Sequence, residues 1–209
     1  MNRVLVTIVL MVVLGLQSAG TVQASDWSVV VSRLQASTVA ISCSLHATNT
    51  CTAFSINRDQ GLYMTAAHCV PPSYSAEEVD EPRIDGQPVT VVFLSAELDL
   101  AIVKAVVKRP ALYPRAEALV AGNEVGSYGY GYGGMAPIFR SGVVSGFITD
   151  PTTAAEWLMF DNALVGGMSG GPIVDRDGFL VGVNSKSDGL SGLSLSIAQI
   201  LEATQFWGK

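Results

Sequence analysis

The 209-residue sequence predicts an all-β protein of the barrel or sandwich type. Short apolar runs, each of strand length, follow one another along the chain, and long helical periodicity is scarce. Turn-forming clusters separate these runs, among them Arg58–Gly61, Asp85–Gly86 and Asp175–Gly178. The predicted strands are Thr38–Ser42, Ala53–Ile56, Leu62–Thr65, Val89–Leu94, Leu100–Val107, Glu124–Gly129, Phe139–Phe147, Trp157–Phe160, Ile173–Val174 and Phe179–Val183.

Two segments predict helices at the ends of this β region. Asp26–Leu34 precedes the first strand, and Ile197–Phe206 has apolar residues at helical spacing on one face. Lys108–Leu119 contains two prolines and has no strand pattern. We interpret it as the connection between two halves of similar length.

The N-terminal segment has the pattern of a secretory signal peptide. A positive start at Arg3 leads into the apolar run Val4–Leu16, and small residues precede Ser25. We therefore expect residues 1–24 to be removed and residues 25–209 to be secreted or periplasmic. The run is too short to span a bilayer comfortably and no longer one follows, so we expect no membrane span in the mature chain.

Composition and charge exclude two classes of protein. Hydrophobic residues make up 49% of the chain and charged residues 14%, which argues against intrinsic disorder. The formal net charge is −6 and basic residues are not clustered, so the electrostatic surface of a nucleic-acid binder is missing.

Residues suited to nucleophilic catalysis occur in the chain order His, Asp, Ser. His68 lies in Thr65–Cys69 after an apolar strand, Asp99 stands at the start of another, and Ser169 lies in Gly167–Pro172. A serine hydroxyl is a weak nucleophile that needs an imidazole base, itself oriented by a buried carboxylate. Glycines beside the serine permit a tight turn that can present backbone N–H groups to a developing oxyanion.

These three segments resemble those of the trypsin-like (chymotrypsin-fold) serine peptidases. The chain is most similar to the protease domain of bacterial HtrA/Deg-type enzymes, on account of Asp161–Ala163, Gly182–Ser185 and Gly192–Ile197. The resemblance covers nearly all of residues 35–205, and we expect a protease domain that lacks a PDZ domain.

The resemblance implies a specific architecture for residues 25–209, namely two packed six-stranded antiparallel β-barrels with a short C-terminal helix. The first barrel would span about 35–108, the second about 119–197 and the helix about 197–206. It also implies a serine endopeptidase without cofactor or metal, whose partner is a peptide or protein substrate.

The family's site residues carry over onto matching positions. His68 would act as general base and then acid, Asp99 would fix its tautomer, and Ser169 would form the acyl-enzyme. The backbone N–H groups of Gly167 and Ser169 would form the oxyanion hole. The substrate pocket would be lined by Ala163, Leu164, Val183, Asn184 and Ser185. Ala163 takes the place of the pocket floor, and its lack of charge predicts cleavage after small or aliphatic residues.

Met168 departs from the digestive enzymes of the family, which have an aspartate directly before the nucleophile. That aspartate holds a newly cut N-terminus, and Ser25–Trp27 does not resemble such an N-terminus. The resemblance therefore implies an enzyme that does not mature by this cleavage, and whose oxyanion loop is held by other packing.

Three cysteines allow one disulfide and one free thiol. The resemblance implies a bridge between Cys51 and Cys69, which leaves Cys43 free. A bridge between Cys43 and Cys51 remains open on the sequence alone.

Two motifs of other protein families also match the sequence, but the segments around them do not fit those families. Gly167–Gly171 also matches the nucleophile elbow of α/β-hydrolases, but that fold needs a histidine after the serine and none follows His68. Gly129–Gly134 matches a dinucleotide-binding motif, but Met135–Gly146 has the pattern of a turn and a strand where that motif needs a helix. We interpret the glycines as a strand that ends in a tight loop.

Three further points concern possible metal sites and alternative functions. We interpret His46 as an exposed loop residue, and two histidines without adjacent carboxylates make a poor zinc site. The acidic stretch from Glu77 to Asp85 favours a solvated loop over a calcium site. A catalytically silent trypsin-like binding module and a lipase or esterase remain as alternatives to a peptidase.

Overall fold

The computed structural model describes residues 26–42, 50–70 and 81–204. Two antiparallel β units follow one another along the chain: a seven-stranded sheet and a closed six-stranded barrel. A short helix ends the described chain. The predicted all-β class, with two β units and a C-terminal helix, is therefore confirmed.

Helix α1 (Ser28–Ser37) leads directly into the first unit. Its strands are β1 (Thr38–Ser42), β2 (Thr50–Asn57), β3 (Leu62–Thr65), β4 (Arg83–Ile84), β5 (Gln87–Pro88), β6 (Thr90–Ser95) and β7 (Leu100–Lys104). They are hydrogen-bonded in the order β5-β4-β1-β2-β3-β7-β6, with every neighbouring pair antiparallel.

The second unit closes on itself. Its elements are β8 (Glu124–Tyr130), a helical turn α2 (Gly131–Gly134), β9 (Ala136–Thr149), β10 (Glu156–Phe160), β11 (Pro172–Asp175), β12 (Leu180–Ser187) and β13 (Gly192–Ser196). The barrel order is β10-β13-β12-β11-β8-β9. Helix α3 (Ile197–Ala203) follows, and the Ser196 side chain caps it by accepting a hydrogen bond from the Gln199 N–H.

The first unit differs from the expected six-stranded barrel. Within the described ranges no ladder joins its two edge strands, β5 and β6. A turn at Asp85 and Gly86, both with positive φ, folds the chain into the two-residue strands β4 and β5. Strands this short have no apolar run, so the sequence did not indicate them. Strand β7 ends at Lys104, before the predicted Val107, and the Ala105 N–H beyond it donates to the carbonyl of Gly61, the residue before β3.

The glycine-rich segment after β8 is a tight loop, as the sequence predicted. In α2, Tyr132 and Gly133 have φ of 52° and 70°, and β9 begins at Ala136. The long helix that a dinucleotide site needs does not follow β8.

Three apolar clusters hold the described chain together. One lies within the first sheet and includes Ile41 and Tyr63, and one lies within the barrel and includes Phe160. The third lies between the two units, where Phe54 of β2 and Trp157 of β10 belong to one buried cluster with residues of α1. This shared core fixes the position of one unit relative to the other.

The connection between the units is hydrogen-bonded to both. The Leu112 N–H donates to the Ser55 carbonyl in β2 at 2.9 Å, and the Arg115 N–H donates to the Leu180 carbonyl in β12 at 2.8 Å. The Arg115 guanidinium also lies 2.5 Å from the Asp175 carboxylate, whose side chain is only 4% exposed.

None of the helices in the described ranges has the length and apolar character of a membrane span. The described residues do not include the predicted signal peptide, Cys43, His46 or residues 77–80 of the acidic stretch.

Replacement of Arg115 tests whether its ion pair with Asp175 stabilises the connection between the two units. Because the buried Asp175 carboxylate would lose its charged partner, Arg115→Met should lower the free energy of unfolding by about 2–4 kcal/mol in denaturant titrations. Arg109→Met is the control, since its partner Asp85 is half exposed, and it should cost less than about 1 kcal/mol. Equal losses in the two variants would contradict the anchoring role.

Candidate active site

His68 and Asp99 lie at adjacent ends of two neighbouring strands. His68 is in the 3₁₀ helix Ala67–Cys69 that follows β3, and Asp99 directly precedes β7. Since β3 pairs with β7 and Thr65 lies opposite Ala101, the His68 and Asp99 side chains meet at the same end of this strand pair. The His68 Nδ1 lies 2.8 Å from the Asp99 Oδ2, and the His68 backbone N–H donates to Oδ1 at 2.9 Å.

Hydrogen bonding keeps the Asp99 carboxylate ionised. Burial alone would raise its pKa, but hydrogen bonds from the His68 ring, the Ser185 hydroxyl and the His68 backbone together hold the pKa of Asp99 below its usual value. An ionised carboxylate only accepts, so the proton of a neutral His68 ring lies on Nδ1. The lone pair is then on Nε2, which is the tautomer a general base requires.

Asp99 also has a strained backbone, with φ of 50°. Among residues with a side chain, aspartate and asparagine tolerate this left-handed conformation best. Strain of this kind persists where the surrounding structure determines the geometry, as it does at many functional sites.

The loop between β10 and β11 carries Ser169, and two of its glycines, Gly167 and Gly170, have no room for a side chain. Gly167 has φ of 102° and Gly170 has φ of 78°. A Cβ at Gly167 would lie 2.2 Å from the Tyr130 carbonyl oxygen, and one at Gly170 would lie 2.3 Å from the Thr52 carbonyl oxygen. The loop therefore packs with its backbone directly against both β units.

Two amide N–H groups of this loop have no acceptor. The N–H groups of Met168, Gly170 and Gly171 donate to backbone carbonyls at 2.7–3.0 Å. Those of Gly167 and Ser169, by contrast, donate to no group of the described residues. Free donors beside a serine hydroxyl are what an oxyanion hole requires.

Ser185 joins the two halves of the site. Its hydroxyl donates to the Asp99 Oδ2, and its carbonyl oxygen accepts from the Ser169 Oγ at 3.4 Å. Asp99 and Ser169 thus both contact one residue of β12, and His68 is joined to that residue through Asp99. In this conformation the long bond to Ser185 is the one hydrogen bond of the Ser169 hydroxyl among the described residues, so the hydroxyl is not bonded to His68.

A disulfide bridges Cys51 of β2 and Cys69, the pairing that the resemblance implies. Both sulfur atoms lie within 4.8 Å of a His68 ring nitrogen, a spacing that metal ligands could have. Sulfur atoms in a disulfide are not thiolates, however, so this group does not fit a zinc site.

The predicted pocket residues have different surroundings. Ala163 and Leu164 are half-buried, and the Leu164 N–H contacts the Ser187 Oγ at 3.3 Å, which brings their loop to the end of β12. Asn184 is fully buried, and its Oδ1 accepts from the Ser194 hydroxyl. Val183 belongs to the core cluster between the two units.

Thr52 contacts the nucleophile loop, although no sequence motif includes it. Its hydroxyl donates to the Gly167 carbonyl at 2.7 Å, and its backbone N–H donates to the Ser169 carbonyl at 2.8 Å. A threonine within a strand indicates only β propensity, so the sequence has no signal for this contact. Met168, in the same loop, is fully buried.

Ser185→Ala should raise the pKa of Asp99, because the carboxylate loses one hydrogen bond that favours its ionised form. A lowered carboxyl pKa contributes stability above its unfolded value of about 3.9, and this contribution is lost as pH falls through the folded-state pKa. The variant should therefore lose more unfolding free energy at pH 6 than at pH 2, as measured by denaturant titration at each pH.

Ser194→Ala is the matched control, since this buried hydroxyl has the neutral amide of Asn184 as its partner. Its loss of stability should be the same at both pH values. A Ser185→Ala loss that is equally independent of pH would contradict the coupling to Asp99.

Comparison with known proteins identifies a family for most of this chain. The family model of the trypsin-like peptidase domain matches residues 51–183. No curated protein sequence matches the chain.

The fold is shared with several solved protease structures. The Rv3671c protease of M. tuberculosis in its active form is 24% identical, with a TM-score of 0.68, and the match covers 83% of this chain and 81% of that one. The HtrA-type protease AlgW, as its S227A variant with a tripeptide, is 22% identical with a TM-score of 0.70, covering 85% and 62%. A serine endoprotease of Yersinia pestis is 20% identical with a TM-score of 0.70, covering 86% and 65%.

The chain spans less than two thirds of the length of the latter two proteases. The family match, by contrast, covers more than half of this chain. The chain thus belongs to the trypsin-like peptidase domain family and is a serine endopeptidase.

Proposed function

We propose that this peptidase is exported and that it cleaves its substrates through a triad of Ser169, His68 and Asp99. The observation that carries the proposal is the pair of unpartnered amide N–H groups, of Gly167 and Ser169, beside a serine that Ser185 links to the His68–Asp99 pair. Export is supported by the signal-peptide pattern of residues 1–24 and by the disulfide between Cys51 and Cys69.

In the proposed reaction, His68 Nε2 takes the Ser169 hydroxyl proton as the Oγ attacks the scissile carbonyl carbon. The carbonyl oxygen becomes negative and accepts from the N–H groups of Gly167 and Ser169. The imidazolium then gives its proton to the leaving amine, and water hydrolyses the acyl-enzyme by the same steps. Throughout, the ionised Asp99 stabilises the positive charge on the ring.

One feature favours the alternative of a catalytically silent binding module. The Ser169 hydroxyl is bonded to the Ser185 carbonyl and not to His68. Catalytic hydrogen bonds are often long or misaligned without substrate and shorten only in the complex. A serine that never reaches His68 would nevertheless remain unreactive, so chemical labelling distinguishes the two functions.

We propose further that cleavage follows small or aliphatic residues. Ala163 has no charge to pair with a basic substrate side chain, and its loop lies beside the end of β12 through Leu164 and Ser187. The Asp161 Oδ1 accepts from the Val143 N–H at 2.7 Å, which holds this exposed carboxylate beside β9. A buried cation without a partner is costly, so basic side chains should be disfavoured.

A fluorophosphonate probe should label Ser169 in the exported protein expressed from the full-length sequence, because the probe reacts with an activated serine. Ser169→Ala should abolish the labelling and lower kcat for peptides by at least about 10⁴-fold. Mass spectrometry of the same sample should map the label to Ser169 and the N-terminus to Ser25.

Ser32→Ala, which removes an exposed hydroxyl of α1, should label like the wild type. A folded wild type without label would support the silent module. Turnover of acyl esters without any peptide cleavage would support an esterase.

A peptide panel that varies the residue before the cut tests the pocket. Alanine or valine there should exceed lysine or arginine in kcat/KM by at least about tenfold, because the pocket floor is uncharged. Ala163→Asp should raise the relative kcat/KM for lysine and arginine, while the neutral Ala163→Asn should not. A wild-type preference for basic residues would refute the proposed pocket.

A further inference from the structure

Thr52 connects the first β unit to the nucleophile loop through both its side chain and its backbone. The residue is fully buried in β2. Its hydroxyl accepts from the Tyr130 N–H at 2.8 Å and donates to the Gly167 carbonyl at 2.7 Å. Its backbone N–H donates to the Ser169 carbonyl at 2.8 Å. One residue thereby contacts the end of β8 and two points of the loop.

These contacts restrain the peptide units on either side of one oxyanion donor. The Gly167 carbonyl belongs to the peptide unit before Met168, and the Ser169 carbonyl belongs to the peptide unit after Ser169. The N–H of Ser169 lies in the peptide unit between them. Because Thr52 holds both neighbouring carbonyls, the intervening unit has little freedom to rotate.

Gly167 is the position where such a restraint is needed most. Glycine has access to more backbone conformations than any other residue, and Gly167 has φ of 102°. The loop Gly167–Gly171 has no charged residue that could anchor it through an ion pair. The Thr52 hydroxyl is the side-chain group that holds the Gly167 carbonyl in the described structure.

We propose that Thr52 is a positioning residue, whose hydroxyl holds Gly167 so that the amide N–H groups of Gly167 and Ser169 remain available to the oxyanion. This role rests on the proposed function of Ser169. In family members with an aspartate before the nucleophile, that aspartate pairs with the newly cut N-terminus. In this chain the Thr52 hydroxyl would take the place of that ion pair. Thr52 touches no reacting atom. It would stabilise the transition state indirectly, by holding the loop that carries the two N–H donors.

The backbone of Thr52 is itself held within the first sheet. The Thr65 hydroxyl donates to the Thr52 carbonyl at 2.7 Å, and both residues are fully buried. Because the Thr52 hydroxyl already accepts from the Tyr130 N–H, its own proton is free to point at the Gly167 carbonyl. Since a carbonyl oxygen can only accept, the Thr52 hydroxyl is the donor in this bond.

The test compares three variants of the full-length protein. Thr52→Val removes the hydroxyl at nearly constant volume, and Thr52→Ser restores it. Ser55→Ala is the matched control, because it removes a buried hydroxyl of the same strand that donates to the Arg109 carbonyl, away from the loop. The readouts are kcat, KM, the melting temperature and the affinity for a peptide boronate, which forms a tetrahedral adduct with the serine.

We expect Thr52→Val to lower kcat by about 10–100-fold, because a misplaced oxyanion donor weakens transition-state binding. The boronate affinity should fall by a similar factor, while KM changes by less than about threefold. Thr52→Ser should return kcat to within about threefold of the wild type. Ser55→Ala should lower the melting temperature and leave kcat unchanged.

Several results would overturn the role of Thr52. These are an unchanged kcat in Thr52→Val, an equal loss of kcat in Ser55→Ala, or no recovery in Thr52→Ser. If Thr52→Val does not fold, Thr52→Ala serves in its place and the same criteria apply. A folded wild type that fluorophosphonate does not label would instead overturn the proposed function, and this role would fall with it.

Discussion

The active site depends on the contact between two β units that are far apart in sequence. His68 and Asp99 belong to the first unit and Ser169 to the second, so the geometry of the proposed triad exists only while the two units keep their relative position. A shared apolar core provides most of the attraction, since burial of apolar surface is the main favourable term in folding. Apolar packing is not directional, however. Directed hydrogen bonds from Thr52 and Ser185 across the same interface supply the angular precision that the chemistry needs.

Candidate residues are easiest to identify from sequence where the chemistry allows only a few residue types. An imidazole, a carboxylate and a hydroxyl flanked by glycines can be recognised because few residue types perform these roles. The structure pairs His68 with Asp99 and links Asp99 to Ser169 through Ser185, and the catalytic roles of the three residues are our proposal. Most strands were also predicted to within a few residues, because their apolar runs are bounded by turns. The strands β4 and β5 escaped detection, since two-residue strands are defined by their turn and their pairing partner and not by their own composition.

The role proposed for Thr52 could not be predicted either, for a different reason. Its partners are backbone atoms of residues that lie on the far side of the connection between the units. Backbone atoms are the same in every residue, so no sequence pattern identifies them. Ser185 illustrates the intermediate case: a family resemblance placed it near the substrate, whereas only the coordinates reveal its hydroxyl on Asp99.

The anchoring of the nucleophile loop has a consequence for the conditions under which the enzyme can work. Met168 is fully buried, and the hydrogen bonds that hold Gly167–Gly171 are all between neutral groups. Dissolved ions screen attractions between charges, and a hydrogen bond between neutral groups includes no such attraction. No attraction between charges therefore holds the shape of this loop, and a rise in ionic strength has no such attraction to weaken there.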